Sequence, residues 1–265
     1  MLIESTAAHL TTCLAMLDGV FHSPSRSDLE HILLRWLHFV GGITWIGLLY
    51  FFNLVNVPLQ KQLDADTKKR VNPDLLRRTL WYFRWAALVT VIAGFVYYAL
   101  NILRPDVQLA NAKAHNVNGW LLLIVWLFIP IIAFLVEFLI IKKVPALIKD
   151  GRIFAIIAFV LVAAMTITIL KWLDSGLTPY LGLSPNKSLS IGVGGAYGIF
   201  MLLNVWGIIW PNNKRIIAGL EGGPAAAPEL ARQAFVASRT NAWLSLPMLL
   251  FMATSSHDWQ IFAGK

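Results

Sequence analysis

Residues 33–48 read LLRWLHFVGGITWIGL, a run of membrane-helix length and apolarity that nevertheless contains an arginine, a histidine and three glycines. Arg35, His38, Gly42 and Trp45 follow 3-4-3 spacing, so on an α-helix they fall on one stripe, stacked one above another. Polar groups at membrane depth are costly, and they usually face a protein interior or a functional cavity. The stripe is therefore the first candidate site.

The surrounding composition sets the class. Hydrophobic residues make up 57% of the 265 and charged residues only 14%, against roughly a quarter charged in a soluble domain. An all-α, polytopic membrane helix bundle follows. Six segments reach or approach the roughly 20 apolar residues that a bilayer core requires: about 30–56, 79–101, 117–141, 152–173, 189–210 and 240–256. Residues 1–28 are broken by Glu4, His9 and Asp18 and read as an interfacial segment, leaving 29–265 as the transmembrane domain. Asp28 is placed to cap a helix that begins near Leu29. Glu4 stands where a secretory signal would carry a base, so no cleaved signal is expected.

Charge asymmetry gives an orientation. Fourteen of the 22 Lys and Arg residues fall in the first, third and fifth connections, among them Lys68, Lys69, Arg70, Lys142, Lys143, Lys214 and Arg215. By the positive-inside rule these connections are cytoplasmic, and both termini lie outside. Anionic lipid accounts for the basic face and for the net charge of +8, so no nucleic-acid partner is implied. Pro58 and Pro211 open the two long inner connections, and Glu229 to Val236 reads as a short amphipathic helix within the second. Trp120, Trp172, Trp210 and Trp259 fall near span ends, where an aromatic belt would sit.

Topology also sorts the histidines. His9, His22, His31 and His115 belong to segments outside the apolar interior, whereas His38 lies about eight residues into the first span, roughly 12 Å along a helix. His257 ends the sixth span on the same side. An axial pair from two helices is an ordinary way to hold a b-type haem, with His38 and His257 as iron ligands. Gly41 and Gly42 would leave room for the ring, and Arg35 is available to a propionate. A membrane histidine can equally clasp a neighbouring helix, and glycines there often serve close packing. His31 or His115 could replace His257 as the other ligand.

The remaining polar residues of the spans have simpler readings. Arg84 is expected to snorkel to headgroups. Glu137, about a turn and a half before Lys142 and Lys143, is expected to pair with them, with a proton relay as the alternative. Gly194 and Gly198 stand in G-x-x-x-G register for helix packing. Cys13 is the single cysteine, which excludes an internal disulfide and a c-type haem attachment motif within these residues.

LRWLHFVGGITWIG at 34–47 resembles the first span of the bacterial membrane-bound urate oxidase, or urate hydroxylase, family. WYFRW at 81–85, GAYGIFMLLNV at 195–205 and RTNAWLSLPMLLFMATSSH at 239–257 agree with it. The resemblance implies a multi-pass redox module of the bacterial inner membrane that passes electrons to a c-type cytochrome on the outer side. His38 and His257 match histidines of the family pattern. Trp81, Ser190 and Thr240 stand where family members tend to carry further histidines, and Ala87 where they carry an acid. Three readings are therefore expected: an electron-relaying subunit with one haem, an active urate oxidase served by a separate cytochrome c, and a haem-free structural subunit of a larger membrane complex.

Overall fold

The computed structural model describes residues 24–113, 116–255 and 260–263. Six long helices run through them: α1 (Arg26–Gln62), α2 (Ala65–Ala112), α3 (Gly119–Lys143), α4 (Gly151–Leu181), α5 (Asn186–Leu220) and α6 (Pro228–Thr254). A short helix, Pro145–Lys149, joins α3 to α4. The chain divides into a small unit that ends at Leu33 and a large one that starts at Leu34; the bundle described below belongs to the large unit.

Five of the helices, α1 to α5, are long and apolar enough to cross a membrane. The sixth matches them in length, since 27 residues rise about 40 Å. It does not match them in apolarity, because Arg232, Gln233, Arg239 and Asn241 dilute it. Burial explains why it can carry them: Gln233, Asn241 and Ser245 are buried in the bundle. Gly194 and Gly198 of α5 let α6 approach, and a Cβ at Gly194 would meet Met252 at 3.2 Å. The glycines of the G-x-x-x-G pair thus serve packing.

Helix α5 is the axis of the fold, packed by α2, α3, α4 and α6. Ser190, Val193, Ala196, Phe200, Met201, Asn204, Val205 and Ile208 along it have no measurable exposure. Large apolar side chains such as Trp36, Ile43, Phe159 and Trp243 point outward instead, as expected where the solvent is lipid.

Prolines do not end these helices, contrary to the expectation for Pro58 and Pro211. A π-helical stretch precedes each of three prolines: Phe51–Asn56 before Pro58, Ala99–Leu103 before Pro105, and Val205–Ile209 before Pro211. Proline lacks an N–H and crowds the carbonyl four residues back, and a widened turn accommodates both defects. The chain stays helical to Gln62 and to Leu220, and the first inner connection shrinks to Leu63 and Asp64. Residues Glu229 to Val236 are likewise the first turns of α6 and no separate helix.

Local caps fix the ends. Ser25, not Asp28, is the N-cap of α1: its hydroxyl accepts from the Asp28 N–H at 3.2 Å, while the Asp28 carboxylate accepts the Ser25 N–H at 3.0 Å. Asp64 accepts from the Thr67 amide at 2.9 Å and its hydroxyl at 2.7 Å, which starts α2. Gly222, at φ 95°, lets the chain turn after α5.

Candidate functional site

Among the described residues, a polar seam between α1 and α2 contains the predicted stripe. His38 is half-buried, and its Nδ1–H donates to the Thr90 carbonyl of α2 at 2.8 Å. The Thr90 hydroxyl donates to the His38 carbonyl at 2.7 Å and keeps its oxygen 3.2 Å from Nδ1. This arrangement fixes the imidazole and leaves Nε2 as the nitrogen free to bind a metal. Gly94 makes room for the ring, since a Cβ there would lie 2.7 Å from Nδ1.

The glycines of the stripe do a different job from the one expected. A Cβ on Gly41 would meet Ala86 O and Thr90 at 3.1 Å, and one on Gly42 would meet Thr90 Oγ1 at 3.3 Å. Helix α2 therefore fills the gap expected for a porphyrin edge. Trp45 is 2% exposed, and its indole N–H has no partner among the described residues. Arg35 is exposed and forms no hydrogen bond with a described residue. A groove of about 460 Å³ between α1 and α2, lined by Ile43, Thr44, Gly47, Leu48, Arg78, Thr79 and Tyr82, includes none of the four stripe residues.

Of the histidines weighed as haem ligands, His31 and His38 lie among the described residues, and His38 is the one in the seam. Its Nδ1 contact with a backbone carbonyl is the outer support that a ligating imidazole needs. His257, His115, His9 and His22 fall outside the described residues, as does Trp259. No group of three His, Cys, Asp or Glu side chains among the described residues could hold a metal ion by itself.

Arg84 does not simply snorkel. Its guanidinium lies 3.8 Å from the centre of the Trp210 ring and 5.9 Å from those of Trp85 and Trp206. The Trp206 indole N–H donates to the Arg84 carbonyl at 3.3 Å. Cation–π contact on three tryptophans replaces part of the lost hydration. Trp210 is thereby a partner within the fold, and Trp172 likewise donates to Leu122 O at 2.9 Å. Of the expected aromatic belt, Trp120 is the member that stands exposed, at 76%.

A second seam lies between α3, α5 and α6. Glu137 is 1% exposed, and neither carboxylate oxygen has a hydrogen-bond partner among the described residues. The expected ion pair is absent because Lys142 is engaged elsewhere: its ammonium donates to Gln233 Oε1 at 2.7 Å and to Asn212 Oδ1 at 3.0 Å. Asn204 and Thr240 are the polar side chains turned toward the carboxylate, and neither reaches it with hydrogen-bond geometry. Position 137 carried a visible signal, an acid inside an apolar helix. The partners on α5 and α6 carried none.

A family model described as urate oxidase N-terminal matches residues 64–265, more than two thirds of the chain. No curated protein and no solved structure matches it.

Proposed function

The chain belongs to the urate oxidase N-terminal family, and from that premise we propose that it is a membrane redox subunit that relays electrons to a c-type cytochrome. Its multi-pass helical bundle supplies the low-dielectric setting, and the proposed location is the bacterial inner membrane with both termini on the outer side. The observation that carries the reading is the His38 clasp, Nδ1–H to Thr90 O at 2.8 Å, which presents Nε2 as a ligand nitrogen. A b-type haem bound there would supply one-electron chemistry. His38 and His257 would hold its iron, with Arg35 available to a propionate. Thr90 and Gly94 would hold the His38 imidazole in orientation. Gly42 and Trp45 would seat α1 against α2, because their positions in the seam are packed.

An alternative reading rests on that same seam. Gly41, Gly42, Thr90 and Gly94 interlock so closely that the His38 clasp also serves a haem-free structural subunit of a larger membrane complex. The third reading is urate oxidation with a separate cytochrome c as acceptor.

Vesicles carrying the purified chain separate the three. A relay reduces added ferricytochrome c after prereduction, loses that ability in His38→Ala, and leaves urate unconsumed. Urate loss coupled to cytochrome reduction replaces the relay with the oxidase. Absence of any cytochrome reduction by folded wild type leaves the structural subunit.

A further inference from the structure

The buried polar seam has a direction, and that direction ends on Glu137. The Asn241 amide donates to the Met201 carbonyl at 2.9 Å, so its Oδ1 must be the atom turned to Asn204. Asn204 Nδ2 donates to that oxygen at 3.0 Å. Asn204 Oδ1 is a buried acceptor without a donor among the described residues, while Nδ2 keeps a second hydrogen. Thr240 is oriented in the same sense: its hydroxyl hydrogen goes to the Val236 carbonyl at 3.1 Å, leaving only lone pairs for other neighbours. Asn204 Oδ1 and Thr240 Oγ1 are thus both open acceptors in the seam. An ionised carboxylate, itself acceptor-only, leaves both of those acceptors unsatisfied, whereas a neutral acid has an O–H to give.

We propose that Glu137 is a proton-binding site, held as the neutral carboxylic acid with its O–H directed to Asn204 Oδ1. In that form one hydrogen bond satisfies two of the orphaned atoms, and no charge is buried. Among the described residues, no charged side chain pairs with Glu137. Lys142 on the same helix is held by Asn212 and Gln233. On α6, Arg232 is bound to the Ile148 and Lys149 carbonyls and Arg239 reaches the Asn53 carbonyl at 3.4 Å. From α2, Arg84 is stacked on Trp210, and α4 has no charged residue between Arg152 and Lys171.

The site exchanges its proton with the basic end of the bundle. The Lys142, Asn212 and Gln233 layer lies on that side, five residues beyond Glu137 on α3 and about two turns from Asn204 on α5. Ionisation releases one proton to water there, and reprotonation takes one back, with no other bond changed. The proposal does not depend on a haem, because its test reads the resting chain.

Infrared spectroscopy of the purified full chain, labelled with 13C-glutamate, reports the protonation directly. At neutral pH the wild type shows a glutamic-acid C=O stretch that moves on transfer to D2O and is absent in Glu137→Gln. Asn204→Val shifts the band without abolishing it, a readout that survives if Glu137→Gln fails to fold. Folded wild type without a glutamic-acid band overturns the proposal. So does a rise in melting temperature with added sodium or potassium that Glu137→Gln abolishes, since that result identifies an ionised carboxylate holding an alkali cation. A band unmoved by D2O overturns exchange with the basic end.

Discussion

The α1–α2 seam around His38 and the α3–α5–α6 seam around Glu137 invert what their sequences advertise. The His38 seam is conspicuous, with Arg35, His38, Gly42 and Trp45 on one stripe. Its histidine, threonine and glycines nevertheless satisfy one another almost completely. The Glu137 seam has the sequence of an ordinary helix-end ion pair, yet it leaves three buried acceptor atoms without donors, two on Glu137 and one on Asn204. A polar residue in a span becomes informative through its partners, and partners come from other helices.

The largest effect is expected where the unsatisfied seam is cut. Asn241→Leu strands Asn204 Nδ2, which costs about 1–3 kcal/mol, while the Met201 carbonyl keeps the Val205 N–H. Denaturant unfolding of the purified chain should therefore show a loss of about 1–3 kcal/mol, and a near-neutral result would break the account of that seam.

Gly94→Ala tests the other side of the comparison. Its Cβ would enter the space of the His38 ring, and overpacking of this kind costs about 1–3 kcal/mol. The same unfolding measurement applies, and no loss would mean that the imidazole moves freely. Thr90→Val should cost about 1 kcal/mol, one hydroxyl hydrogen bond, while sparing the carbonyl that orients His38. Retention of any cofactor signal in Thr90→Val alongside its loss in His38→Ala would separate orientation from ligation.

The smallest effect concerns the cap of α2. Hydrogen bonds from the Thr67 hydroxyl and amide hold the Asp64 carboxyl below the usual carboxylate range. Its folded value is depressed, so its contribution is complete above the ordinary range and fades as pH falls through the folded value. Hydrogen exchange at the Thr67 amide should speed up on acidification, and Asp64→Asn should flatten that dependence.

Legibility followed the range of the forces involved. Apolar length identified α1 to α5, because a bilayer imposes a one-dimensional constraint that a chain displays directly. Helix α6 read as the shortest span, since the burial that tolerates Gln233 and Asn241 is supplied by its neighbours. The prolines misled at Pro58 and Pro211, because a π-helical turn can absorb the missing hydrogen bond. In the site, the stripe and its spacing were visible, whereas Thr90 and Gly94, 52 and 56 positions away from His38, were not. Arg84 was read from its depth alone, and the tryptophans that hold it include two from α5.

The redox reading is tested most directly by the reduced-minus-oxidised visible spectrum of the purified chain beside His38→Ala and His257→Ala. A b-type spectrum in the wild type that is lost or converted to a high-spin form in both variants is the predicted result. Folded wild type, purified under conditions that retain its partners and showing no haem band, would contradict it and leave the His38 clasp as a purely structural contact.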